Sequence, residues 1–532
     1  MVKLNRARTL ATIIAALFLA IPTSVPAADA PASQPAMKIV SWNAYSKQFI
    51  DPPTFTLLPI HGATVYRAVV TQGDRNWRIE SPRPDVSLVK VWAEMATKKF
   101  TVAFEWADAA GKLIDTQSAS VHVKAPDWSG FHEPPADWKA AADRGTGYLI
   151  DVAEHGKAPY REPGVPIWIW SAATPYKDAP DGLDVSYPCI MVPNIIWGMT
   201  AHVRANGPQR DAALHLARTT ADWSLQHRLP DSGALPLFPY STVAHGQFGG
   251  GADGENVNLL RASWYALGLM DLYEATGRSE QKYLEYARHI ATVTTKFQAL
   301  DGSFPYRVNM KTAAVAEAYT PGAAEFALLV DALKPYGVSS ELLIAQQRAV
   351  RWVIAYVAAT NHWQAVYEDV SMPKPYANLS QMQAQAFIRY LCLHKDEDPT
   401  YLPLAERVNR WVEDQFVLFG PSDSFDRQVK GPLVFEQFVC WYPMEGHTAF
   451  WMASLLDLHR VTGKPDYLEK AKAAGNAIVA QQFEDGSFST WAVRSFVDGK
   501  VTGENPGGNW YNANVMAVEA LYRLDGYLRS AN

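Results

Sequence analysis

The sequence predicts a mainly α-helical protein: an (α/α)6 toroid, or (α/α)7 if one more pair is present, carrying a small N-terminal β-sandwich. Three observations predict it. A helix–turn–helix cassette is written twice. Helical periodicity runs in pairs from about Asp137 to the end. Before about Val123 the apolar residues alternate instead, as strands do.

The cassette runs from Leu269 to Pro305 and again from Leu455 to Ser489. Each copy holds the end of one helix, a Thr-Gly stop, a second amphipathic helix and an Asp-Gly-Ser-Phe turn. Gly277 and Gly463 are the glycines expected just past a helix C-terminus. Asp301-Gly302 and Asp485-Gly486 supply residues that tolerate turn geometry. One helix pair cannot bury its own apolar stripe, so repetition implies a stacked or closed array.

Lys3, Arg6 and Arg8 precede an apolar run from Leu10 to Ile21, and Ala28-Asp29-Ala30 offers a small-x-small cleavage site. This reads as a signal peptide over residues 1–30 and a periplasmic or secreted protein with no membrane association after cleavage. The β-sandwich is expected over 36–125, from segments such as Phe100, Val102, Phe104 and Trp106. It is expected to be a structural side domain more than a carbohydrate-binding module. The toroid is expected over 130–532. Its first helices start near Asp137, Gln209, Glu280, Glu341, Tyr401 and Asp466, and their partners near Pro193, Glu255, Thr320, Ser380, Gly446 and Asn512. A seventh pair would draw on Tyr160 to Tyr187. Leu260, Trp264, Leu267 and Leu272 form a stripe read as core.

Among 532 residues, 48% are hydrophobic and 19% charged, which is a globular composition, and a net charge of -6 argues against general nucleic-acid binding. Cys189, Cys392 and Cys440 are odd in number and match no zinc spacing, so buried small hydrophobes are the better reading. No metal or other cofactor is expected. The 18 tryptophans suit either core packing or stacking on sugar rings.

Loops joining a first helix to its partner are long and rich in aromatic, polar and glycine residues, so chemistry is expected on that face. The second loop offers Tyr240, His245, Asn256 and Asn258; its Asp253 reads as a helix cap. The third offers Tyr306, Arg307 and Lys311. An Arg binds a carboxylate bidentately, and a tyrosine beside cations ionises more easily. The fourth offers Tyr376, and the fifth Trp441, Tyr442, Glu445 and His447, with Glu445 read first as a helix cap. The sixth offers Trp510. Carboxylates for a two-acid mechanism are available in Glu255, Glu368, Asp369, Glu436 and Glu445.

With its signal, β-domain, helix pairs and Asp-Gly-Ser-Phe turns, the chain resembles secreted (α/α)-barrel carbohydrate enzymes. Tyr306-Arg307 with His245 and Asn256 resembles the uronate lyases of the glucuronan and alginate type, polysaccharide lyase family 38. The resemblance implies β-elimination on an acidic polysaccharide. Arg307 and Asn256 would hold the uronate carboxylate, Tyr306 would abstract the C5 proton, and His245 would be a second base or stabilise charge. Tyr240, Asn258, Lys311, Tyr376, Trp441, Tyr442, Glu445, His447 and Trp510 would bind substrate. A two-carboxylate glycoside hydrolase on the same scaffold and a non-catalytic periplasmic glycan-binding protein are the alternatives.

Overall fold

The computed structural model describes residues 43, 48–125, 136–155, 185–244, 247–248, 254–365, 375–419, 431–438, 443–491, 495–497, 500–502 and 510–531. The proposed signal peptide lies outside them. All of the described residues fall in one unit, Ile39–Asn532.

Strands come first: β1 (Gln48–Phe49), β2 (Thr54–Thr56), β3 (Val65–Gln72), β4 (Arg75–Ser81), β5 (Asp85–Ser87), β6 (Lys99–Ala107) and β7 (Leu113–Lys124). A five-stranded sheet runs β1-β7-β6-β3-β4, parallel only between β1 and β7. Alternation in β6 buries Phe100, Val102, Phe104 and Trp106, as the sequence pattern requires. In β7 a polar residue takes the inward position. His122 turns inward among Phe49, Phe55 and Phe100, while Val121 faces outward. The second layer of the expected sandwich is only the two-stranded β2-β5 ribbon, whose Phe55 packs on Phe104. Pro52, Pro53, Pro82 and Pro84 flank both strands, and proline cannot extend a ladder.

Twelve of the described helices build the rest. They are α1 (Trp138–His155), α2 (Pro188–Arg204), α3 (Arg210–Gln226), α4 (Arg261–Ala275), α5 (Gln281–Thr295) and α6 (Ala323–Leu333), followed by α7 (Ser340–Trp352), α8 (Met382–Leu393), α9 (Tyr401–Phe416), α10 (Glu445–Thr462), α11 (Pro465–Ala480) and α12 (Tyr511–Ala531). The even-numbered helices touch in sequence, α2 to α4, α6, α8, α10 and α12, and α12 returns to α2. That is a closed inner ring of six, with the odd-numbered helices packed outside it. Inner helices such as α2 and α6 are buried along most of their length, as ring members flanked on every side must be. The described ring is complete at six pairs; most of the stretch considered for a seventh lies outside the described residues.

Two helix starts differ from expectation. α2 begins at Pro188, not near Pro193, because a proline at the first helical position has its φ already set, and Pro193 sits inside the helix. α4 begins at Arg261, not near Glu255, because Asn256–Asn258 is drawn into a strand ladder first.

The duplicated cassette is a device for joining neighbouring pairs. Asp301 Oδ1 accepts from the Ser303 amide at 2.9 Å and its hydroxyl at 2.7 Å, and Asp485 repeats both bonds with Ser487. Gln298 donates to the carbonyls of Gly302 and Ala345, tying its turn to α7. Gln482 donates to those of Gly486 and Ala141, tying the last turn back to α1. The final copy therefore closes the ring. Gly486 has φ +92°, and a Cβ there would stand 2.6 Å from the Arg144 carbonyl oxygen. Gly486→Ala is expected to cost about 2 kcal/mol or more from the strained backbone and the collision together, read as a lowered midpoint in urea.

The β-layer is fastened to the outer helices by a buried ionic group. Lys470 Nζ lies 2.7 Å from Glu413 and 3.1 Å from Asp51, and Arg410 pairs with both acids. Lys470 and Glu413 are almost wholly buried, so each needs the other.

Candidate active site

Short sheets mark one face of the ring. β8 (Val185–Ser186), β9 (Val243–Ala244) and β10 (Gln247–Phe248) form one, with β8 running straight into α2. β11 (Asn256–Asn258), β12 (Arg307–Asn309) and β13 (Val315–Glu317) form the second, with β11 leading into α4. β14 (Val417–Leu418), β15 (Leu433–Phe435) and β16 (Pro443–Met444) form the third, and β16 leads into α10. All three therefore sit where inner helices begin.

The second sheet gathers much of the expected chemistry. Its register pairs Asn258 with Arg307, Asn256 with Asn309, and Arg307 with Glu317. Side chains of paired residues share a face, so Asn256, Asn258, Arg307 and Glu317 stand together. Arg307 donates to Glu317 at 3.0 Å and to the Tyr306 hydroxyl at 3.3 Å, with its guanidinium 4.5 Å from the Tyr306 ring centre. Tyr306 is fully buried and Arg307 nearly so. Burial raises the Glu317 carboxyl above its usual range, although Arg307 works against the shift. Lys311 stands apart, largely exposed and paired with Glu255 at 2.5 Å.

A second cluster, of which the sequence offered Glu436, Glu445 and His447 but not Glu325 or Arg261, fills the first turns of the inner helices. Glu325 on α6 is buried beside Arg261 of α4 and Gln383 of α8. Desolvation pushes its carboxyl up to about 7, against the opposing influence of Arg261 and Gln383. On α10, Glu445 is fully buried and burial pushes it well above the carboxylate range. It does not cap α10: Met444 holds that position, and neither Glu445 carboxylate oxygen has a hydrogen-bond partner among the described residues. The α10 start is packed inside the ring, where a cap exposed to water has no place. His447 accepts at Nδ1 from the Gln381 amide at 2.6 Å, which leaves Nε2 to face Glu436 at 3.3 Å.

Around these groups several buried polar atoms lack a protein partner among the described residues: Asn258 Nδ2, Ser263 Oγ, the Gln383 amide and Glu325 Oε1. Such atoms are rare in native interiors and need a bound molecule or water to satisfy them. A hydroxyl-rich ligand would do so.

Aromatic residues border the cluster. Tyr319, His362 and Tyr376 stack in series with centroids 4.2 Å apart at each step, and burial lowers His362 to about 4, keeping the ring neutral. Half-buried Trp510 lies 5.5 Å from Trp491, and half-buried Tyr240 gives its backbone carbonyl to the Cys189 thiol. His245, Trp441 and Tyr442 lie outside the described residues, as do Asp253, Glu368 and Asp369. Sequence reasoning missed Glu325 and Arg261. The available signal was an acid set between Ala324 and Phe326 in the apolar run Ala323 to Val330, since an acid is almost never fully buried without a task or a partner.

No known family's sequence profile and no curated protein matches this sequence. Solved structures do. A D-mannose isomerase is similar over 73% of this chain and 96% of its own, with a TM-score of 0.51 and 10% identity. A sugar epimerase from a ruminal bacterium is similar over 73% and 99%, with a TM-score of 0.51 and 12% identity. A family 76 α-mannanase from Bacteroides thetaiotaomicron is similar over 75% and 98%, with a TM-score of 0.50 and 15% identity. At these identities the likeness is one of fold: the helical toroid is shared.

Proposed function

We propose that this protein is a carbohydrate-processing enzyme that binds a sugar at the N-terminal ends of the inner helices and moves protons on it. The reaction is proposed to be β-elimination on a uronic-acid-containing polysaccharide. The observation that carries this reading is the β11-β12-β13 register, which sets Asn256, Asn258 and Arg307 on one face, with Tyr306 held against Arg307 by its hydroxyl and ring. Elimination needs three things there: neutralisation of the uronate carboxylate, stabilisation of the enolate-like charge, and a base for the C5 proton. Arg307 with Asn256 serves the carboxylate, and Tyr306 takes the proton. His245 is proposed as the further charge-stabilising group. The buried polar atoms without a protein partner on Asn258 and Ser263 support a hydroxyl-rich ligand.

A hydrolytic reading is favoured by a different observation. Burial pushes Glu325 up to about 7 and raises Glu445 well above the usual carboxylate range, and a glycosidase needs a carboxylic acid with a raised pKa to protonate the leaving oxygen. Folds of the isomerase, epimerase and mannanase kind suit either chemistry on sugars, and none selects between them.

Incubation with glucuronan or alginate separates the two. Elimination creates a C4–C5 double bond, so absorbance near roughly 235 nm is expected to rise in step with new chain ends. New reducing ends without that absorbance, or cleavage confined to neutral polymers, would replace elimination with hydrolysis.

A further inference from the structure

The toroid axis holds a cavity of about 420 Å³ with residues of all six inner helices in its wall. It extends from Trp264 to Glu274 along α4 and from Met382 to Leu393 along α8, toward the ends of those helices remote from the proposed sugar site. Between the two regions Trp264 makes edge-on contacts with Trp197, at 4.8 Å, and with Phe450, at 5.7 Å. The middle of the wall is apolar, with Leu267, Met270, Leu328 and Met516.

Charges gather beyond that apolar belt, and the acids among them are matched. Asp271 pairs with Arg204 at 2.9 Å, Glu274 with Arg278 at 3.0 Å, and Asp331 with Lys334 at 2.7 Å. Asp457 pairs with Arg460 at 2.9 Å and Glu519 with Arg523 at 3.1 Å. Arg389, on α8, is different. Among the described residues no carboxylate lies within ion-pairing distance of it, and its side chain is open to the cavity. It carries the wall's unmatched positive charge. Its side chain is exposed through the cavity, yet the protein packed around it, and then the charge of Arg523, lower its pKa, with Asp457, Glu519 and Asp271 opposing the shift.

We propose that the axial cavity is a second binding site, for a small organic anion with one carboxylate and an apolar body, the carboxylate held by Arg389. A planar guanidinium accepts a carboxylate through two parallel hydrogen bonds. The volume suits a small ligand, and the aliphatic and aromatic walls suit a hydrocarbon body. A sugar is disfavoured beside that belt, because Leu267, Met270, Leu328 and Met516 offer its hydroxyls no hydrogen bond. The site is independent of the chemistry proposed at the other end of the ring.

The test uses the full chain, with Trp197 and Trp264 as built-in fluorescence reporters. Sodium hexanoate and sodium benzoate are titrated, with hexanol and sodium glucuronate as controls, and thermal shift is followed in parallel. Saturable binding of hexanoate or benzoate is expected, weakened about tenfold or more in Arg389→Met, as loss of a charged hydrogen-bonded pair implies. Tyr306→Phe is expected to bind them as the parent does. Ala453→Leu fills part of the cavity wall and is expected to weaken both, which keeps the proposal testable if Arg389→Met does not fold. Absence of saturable binding, hexanol binding as well as hexanoate, or an unchanged affinity in a folded Arg389→Met protein would overturn it. A preference for glucuronate would overturn the apolar-body assignment.

Discussion

Tyr306→Phe is expected to lower turnover on a uronate polymer by about 10²–10⁴-fold, the span usual for removal of a general base, with KM changed little. The substitution deletes one oxygen and leaves the buried ring in place, so packing beneath the Arg307 guanidinium survives. What is lost is the atom that accepts from Arg307 at 3.3 Å and would take the C5 proton. Steady-state kinetics at roughly 235 nm measure the effect directly. Near-parental turnover would remove Tyr306 as the base, while a matched rise in KM would make it a binding residue.

Glu325→Gln is expected to raise stability at pH 8 while reducing activity. The Glu325 carboxyl has an ordinary value near 4.5 and is pushed up to about 7 in the folded protein by desolvation. Between those values the folded chain binds more protons than the unfolded one. Stability therefore falls as pH rises through that window and stays lowered above it. The cost at pH 8 is of order 3 kcal/mol, because each tenfold gain in proton affinity on folding corresponds to about 1.4 kcal/mol. Glutamine keeps the shape and carries no charge to desolvate. Urea unfolding of both proteins at pH 4.5 and pH 8 gives the comparison, and a gain at pH 8 that is absent at pH 4.5 is the expected pattern. Equal stabilities at both pH values would mean that the carboxyl is not desolvated as described. A stabilising loss of function would mark Glu325 as a residue kept for its chemistry.

The two variants also separate the functional readings. If elimination is the reaction, Tyr306→Phe removes it and Glu325→Gln damages it less. If hydrolysis is the reaction, Glu325→Gln is the more severe, because it deletes the proton donor.

Much of the scaffold was legible because it is written in local chemistry. Periodicity placed each outer helix within a residue of its start, since exposed helices advertise a polar face and, as at Thr462-Gly463 before α11, can follow directly on a stop signal. The repeated Asp-Gly-Ser-Phe turns were visible for the same reason. Their partners were not. That Gln482 reaches Ala141 and so closes the ring joins residues 341 positions apart, which no local pattern encodes.

The site divides in the same way. Tyr306, Arg307 and Asn256 could be named from loop composition, but their meeting depends on β11 pairing with β12 across an intervening helix pair. Glu325 and Arg389 escaped notice because each sits in a mostly buried inner helix and not in the long loops where chemistry was expected. Their significance comes from what surrounds them: low dielectric around one, an axial hollow around the other. The sequence by itself determined helix order, turn chemistry and which face of the ring would carry elaborate loops. Only the tertiary structure decided which polar groups lost their water, because desolvation depends on every element packed around a residue and not on its neighbours in the chain.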